Sequence, residues 1–128
     1  VWKAVGRNLT FSLLEEGSFL TAPASFITSD FNLYILAFLS SSFGKFYIYN
    51  NSDTTGAGDV MLNIQSLEKI PIPKPTIDSE EKINTLINQI LFNKKHGIIT
   101  TEFESEINQV IYDIFQFDKN EIEFIESV

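Results

Sequence analysis

The sequence predicts an α+β protein: a small mixed sheet packed on one buried apolar helix, followed by a C-terminal antiparallel helical hairpin and a short closing helix. Three observations carry this expectation. Short β-branched and aromatic runs, broken by turn residues, fill the chain as far as Ile27. A nearly continuous apolar stretch then runs from Phe31 to Tyr49, and beyond a proline-rich junction the apolar residues recur with the helical period. The junction divides the expected architecture into an α/β subdomain, residues 1–75, and an acidic helical subdomain, residues 76–128.

Strands are expected at Trp2 to Val5, Thr10 to Leu14, Ser18 to Thr21 and Ser25 to Ile27, with Gly6-Arg7-Asn8, Glu15-Glu16-Gly17 and Ala22-Pro23 as punctuation. The second and third read as a hairpin. Ser29 and Asp30 are cap-type residues, and the run Leu33 to Leu39 is too rich in Leu and Ala for a strand. It predicts a buried helix, broken at Ser40-Ser41-Ser42 or at Gly44. The polar, glycine-containing stretch Asn50 to Asp59 reads as a mobile loop, and Met61, Leu62, Ile64 and Leu67 begin a short helix or turn.

Leu67-Glu68-Lys69-Ile70-Pro71-Ile72-Pro73-Lys74-Pro75 can be neither helix interior nor central strand, because each proline lacks a donor and fixes φ. It predicts a stiff extended connector. Asp78 with Glu81 matches a capping box, and Ile83, Leu86, Ile87, Ile90 and Leu91 follow at helical spacing until Lys94-Lys95-His96-Gly97 closes the helix. Thr101 with Glu104, and Asp118 with Glu121, repeat the start signal.

The chain has no cysteine, which excludes disulfides, thiolate metal sites and a cysteine nucleophile. A cytoplasmic protein is expected. The longest apolar run is far below the roughly 20 residues that cross a bilayer, so no membrane partner is expected. Starting at Val1 without an initiator Met, the chain is expected to be a piece of a longer protein. Residues 1–75 carry five cations and six anions, and residues 76–128 four cations and eleven anions, which puts almost all of the net charge of −8 in the second part. So acidic a field argues against a free-standing nucleic-acid binder. The near-neutral first part can still contact DNA if a larger basic partner domain supplies the phosphate affinity.

Around the junction the chain resembles a known family. Leu67 to Pro73, the acidic helix start Glu80-Glu81, the helix Asp30 to Ser41, the Glu16 to Thr21 segment and the later Phe103, Glu104, Ile107 and Tyr112 together resemble the C-terminal target-recognition (specificity) region of type II restriction-modification enzymes. In those enzymes methyltransferase and endonuclease share a chain. The chain is similar as well to the specificity subunits of type I systems. The resemblance implies a non-catalytic module that reads a short duplex sequence, within a parent that is a site-specific adenine DNA methyltransferase with or without endonuclease. It implies double-stranded DNA and the parent's upstream domains as partners, and S-adenosylmethionine and Mg as cofactors of the parent, with none in this segment. A homodimer is a further partner expectation.

If DNA is read here, the candidates are Lys3, Arg7, Asn8, Lys45, Tyr47, Tyr49, Asn50, Asn51, Ser52, Thr54 and Thr55. Arg and Lys contact guanine or phosphate, Asn pairs bidentately with adenine, and Tyr packs on sugar or base. The bland alternative is that the cations are ordinary surface charges, that the tyrosines finish the core helix, and that the loop is a solvated connector. No catalytic or metal-binding residue is expected. Gly56-Ala57-Gly58 lacks the offsets of a nucleotide fingerprint, and Asp78, Glu80 and Lys82 sit together at one helix start, where caps and the macrodipole account for acids. A second reading is a protein-interaction domain, in which Phe103, Ile107, Ile111 and Phe115 on the acidic helices dock a partner.

Overall fold

The computed structural model describes residues 1–3, 5–6, 10–20 and 24–127. Its element order is β1 (Trp2–Lys3), β2 (Val5–Gly6), β3 (Ala24–Ser25), α1 (Asn32–Ser40), α2 (Ser42–Asn51), β4 (Asp53–Thr54), β5 (Val60–Met61), α3 (Ile64–Glu68), α4 (Ile77–Lys95), α5 (Thr101–Phe115) and α6 (Lys119–Glu126). The protein is mostly helical. The expected mixed sheet is reduced, among the described residues, to two-residue strands in antiparallel ladders, β1 with β3 and β2-β5-β4.

The missing strands have a physical reason. Thr10 to Leu14 and the described part of Ser18 to Thr21 form no hairpin; Phe19 is 96% exposed, and Leu13 and Leu14 are exposed too. A two-stranded hairpin with no buried face is marginal at best. Instead the chain turns at Gly17, whose φ is +82°, with the Ser18 N–H donating to the Glu15 carbonyl at 3.2 Å.

The apolar stretch breaks at the serines. Ser41 is extended, and its buried hydroxyl donates to the Phe38 carbonyl at 2.6 Å while accepting the Gly44 N–H at 3.1 Å, ending α1 and capping α2 with one side chain. Gly44 lets the two helices meet. A Cβ there would lie 2.2 Å from the Phe38 carbonyl oxygen and 2.8 Å from that of Leu39.

The expected loop is largely ordered secondary structure. α2 runs through Asn51, and residues 53–61 form a tight hairpin closed by Thr55 N–H to Asp59 carbonyl at 2.8 Å and Gly58 N–H to Thr55 carbonyl at 2.9 Å. Gly58 takes φ +87° in that turn.

The connector is extended as its prolines dictate, with Ile70 buried and Ile72 half-buried. Two tyrosine hydroxyls clamp it: Tyr47 donates to the Lys69 carbonyl and Tyr34 to the Pro73 carbonyl, both at 3.0 Å. α4 starts two residues before the expected cap. Thr76 is the N-cap and Ser79, three residues on, completes the reciprocal box; Asp78 falls in the first turn. Its far end is a Schellman turn, with Gly97 at φ +69°, Gly97 N–H to Lys94 carbonyl at 3.2 Å and Ile98 N–H to Asn93 carbonyl at 2.8 Å. α5 is capped at Thr100 rather than Thr101, without a side-chain bond. Asp118 caps α6 as expected, accepting the Glu121 N–H at 2.8 Å.

α4 and α5 form the antiparallel hairpin and α6 packs back on α2. One apolar cluster joins Tyr34, Phe38 and Phe43 of α1 and α2 to Ile83, Ile87, Ile90, Ile107, Ile111 and Ile125 of the later helices, so the core runs unbroken past the connector. A second cluster holds Trp2, Leu39, Ile48, Val60, Leu62, Leu67 and Ile70. Trp2 Nε1–H donates to the Leu62 carbonyl at 3.0 Å, fixing β1 against the segment after β5.

Candidate nucleic-acid interface

Five of the sequence candidates, Lys45, Tyr47, Tyr49, Asn50 and Asn51, lie on α2, and its period sorts them onto different faces. Lys45, Tyr49 and the following Ser52 are spaced i, i+4 and i+7 and share one face, with Lys45 exposed and the other two half-buried. Tyr47 and Asn51 share a second. Tyr47 is spent on structure, since its hydroxyl holds the Lys69 carbonyl and its ring lies 6.2 Å from that of Phe43. Asn50 and Asn51 are helical rather than loop residues, and each folds back on its own helix. Asn50 Nδ2 donates to the Phe46 carbonyl at 2.7 Å and Asn51 Nδ2 to the Tyr47 carbonyl at 2.9 Å, which uses one of the two N–H donors of each amide and ties its orientation to the helix.

The remaining candidates belong to the ladders. Lys3 is on β1, opposite Ala24. Thr54 is on β4 and faces Val60, which on its other side faces Gly6 of β2, so the chain leaves β2 at the same end of the ladder as the turn that carries Thr55. The Thr55 hydroxyl is engaged in that turn, accepting the Asp59 N–H at 3.1 Å. Arg7 and Asn8 lie outside the described residues. Two groupings therefore result: the α2 face of Lys45, Tyr49 and Ser52, and the ladder end with Thr54 and Thr55.

The α2 face opens on a hollow of about 590 Å³ that sequence reasoning did not find. Lys45 and Tyr49 line it together with Lys94 from the end of α4 and Glu104 from the start of α5, over a floor that includes Leu39 and Leu91. Lys94 Nζ is paired with Glu104 at 3.3 Å across the α4–α5 turn. In the sequence Lys94 reads only as a cation closing a helix, and nothing local to it signals a neighbour on α2.

The tyrosine hydroxyls are set by burial. That of Tyr34 is raised above its ordinary value by desolvation, with the Ser79 hydroxyl opposing. The Tyr112 hydroxyl, 3.1 Å from Glu126 Oε1, is pushed up to about 12, first by burial and then by the Glu126 carboxylate, against a lowering contact from Ser42. Both are neutral donors at physiological pH, unsuited to proton abstraction.

Among the described residues no group of three or more His, Cys, Asp or Glu side chains could hold a metal ion. Gly56-Ala57-Gly58 occupies the hairpin turn between β4 and β5, not a strand-to-helix cradle, and Asp78 and Glu80 stand in the first turn of one helix. These residues do not fit S-adenosylmethionine or Mg. His96 caps the end of α4 with its ring 4.5 Å from Phe92.

The docking face expected on the acidic helices is consumed internally. Ile107 and Ile111 are buried in the main cluster, Phe103 packs against it, and the Phe115 ring lies 4.7 Å from Phe43 and 6.1 Å from Phe38. The helical period that suggested a free apolar stripe reports contact with the chain's own α1 and α2.

The chain is similar to the type II methyltransferase M.MjaIV of Methanocaldococcus jannaschii. The two are 31% identical over 78 residues, which is 61% of this chain but 26% of that relative. The match thus spans about a quarter of the curated relative's length. No family model and no solved structure matches the chain. No helix among the described residues is long and apolar enough to cross a membrane.

Proposed function

We propose that the chain is the DNA-sequence recognition module of a restriction-modification methyltransferase and performs no bond-breaking step itself. The observation that carries this reading is the stretch of similarity to a type II methyltransferase, which takes in most of this chain and only a minor share of the relative. A segment of that size is what an enzyme devotes to a module beside its catalytic core. The resemblance of the Ile70-Pro71-Ile72-Pro73 junction and its flanking helices to target-recognition regions points the same way.

On this reading the helical core is a rigid platform and the 53–61 hairpin with the exposed face of α2 is the reading surface. Binding residues on loops and element ends held by a stiff scaffold is the common arrangement. Chemistry, S-adenosylmethionine and Mg belong to the rest of the parent enzyme, and the cell compartment is the cytoplasm. Selection of duplexes from a randomised pool by the full-length protein tests the reading. Enrichment of one short motif, lost when the 53–59 turn is replaced by a Gly-Ser linker, is the expected result. Enrichment of the same motif by the turn variant would contradict it.

A further inference from the structure

The hollow walled by residues 10–13, α1, α2, the end of α4 and the start of α5 combines features that no sequence motif announces. Two lysines from separate elements, Lys45 and Lys94, stand on its rim in a protein of net charge −8. Tyr49 lies one helical turn beyond Lys45 on the same face. Leu36, Leu39, Ile87 and Leu91 supply an apolar part of its lining. At about 590 Å³ the hollow falls within the range of binding cavities, which are commonly apolar with a few placed polar groups.

The arrangement is held ready but not locked. Lys94 is paired to Glu104 at 3.3 Å, yet both side chains are about half exposed, 60% and 47%. Ion pairs this exposed contribute little and are screened by salt, so Lys94 can exchange Glu104 for a phosphate without a large penalty. Glu104 then acts as a placeholder that keeps the Lys94 ammonium over the hollow when no anion is bound.

The geometry points to this hollow as a clamp for one DNA backbone phosphate, gripped between Lys45 and Lys94 with the adjoining deoxyribose on the Leu39–Leu91 floor. This inference rests on the proposed recognition function and deepens it. It places phosphate affinity within the chain, on helices, and away from the Asn50 to Asp59 stretch, which carries no Arg or Lys. Phosphate contacts fix register on the duplex without reading bases, so a clamp here would set how the 53–61 hairpin meets the groove.

The test is the salt dependence of binding of the full-length protein to a random-sequence duplex, measured by fluorescence anisotropy. Each phosphate contact contributes about 0.9 to the slope of log K against log salt, equivalent to roughly eightfold in affinity between 1 M and 0.1 M salt. Because the two lysines share one phosphate, Lys45→Gln and Lys94→Gln should each lower the slope and the double variant should lower it by about 0.9, and Glu104→Gln should leave the slope near that of the parent while tightening binding. Lys119→Gln, outside the hollow, should behave as the parent, and thermal melts confirm that the exposed-site variants fold. If duplex binding persists with an unchanged slope in Lys45→Gln or Lys94→Gln, the clamp is wrong and the recognition function stands. If the parent protein binds no duplex at any salt concentration, both fail together.

Discussion

Gly44→Ala is the substitution for which helix propensity and tertiary packing predict opposite signs. Gly44 lies inside α2, where alanine is favoured over glycine by about 1 kcal/mol on propensity alone. Its position against the end of α1 argues the reverse. The added Cβ would stand 2.2 Å from the Phe38 carbonyl oxygen, 2.8 Å from that of Leu39 and 3.0 Å from the Leu39 carbonyl carbon, all backbone atoms that cannot rotate aside. To restore ordinary contact the α1–α2 crossing must open by about an ångström, and Phe38 and Phe43 sit in the core on either side of it. Overpacking of a well-filled core costs about 1–3 kcal/mol. Because the clashing atoms are backbone, the cost belongs in the upper part of that range, about 2–3 kcal/mol; offset by the propensity gain, the net loss should be about 1–2 kcal/mol, or about 4–8 °C in Tm for a domain of this size. Urea unfolding monitored by the fluorescence of Trp2 and by circular dichroism gives the measurement. A variant as stable as the parent, or more stable, would refute the close approach of the two helices.

Other expectations follow from the same contacts. Ser41→Ala should destabilise by about 1–2 kcal/mol, because one hydroxyl ends α1 and caps α2; denaturant midpoints check it. Gln116 holds φ +57° at the end of α5, a conformation that costs about 1 kcal/mol for a residue with a Cβ, so Gln116→Gly should raise Tm by a few degrees. At high pH the raised Tyr112 hydroxyl works against the fold. Its ordinary value is 10 and its folded value about 12, so its stabilising contribution is complete below pH 10 and is lost as pH rises towards 12. Stability measured across that window should fall less steeply in Tyr112→Phe.

The legible parts of the fold were those that local rules decide. The stripe of α4, the Gly97 turn and the Asp118 cap each depend on residues within one or two helical turns, and each stands as read. Overlapping signals were not separable: Thr76 with Ser79 and Asp78 with Glu81 are competing starts two residues apart, and the chain uses the first. The N-terminal strands misled because β-branched and aromatic runs describe a half-buried surface, whereas Leu13, Leu14 and Phe19 have no partner face and stay exposed. The candidate site was legible as a list but not as a surface. Asn50 and Asn51 looked like loop residues until their back-bonds to Phe46 and Tyr47 extended α2 through them. Lys94 could not be assigned to the site, since only the packing of α4 against α1, which carries α2, brings it to the hollow that Lys45 lines.

The most direct test of a recognition role is amide hydrogen exchange on the full-length protein with and without the duplex it selects. Binding should slow exchange in residues 45–61, the exposed turns of α2 and the β4–β5 hairpin, while the outer face of α4 near Asp78 to Thr85 stays unchanged. Exchange that is the same with and without duplex throughout residues 45–61, under conditions where the protein is saturated, would contradict it.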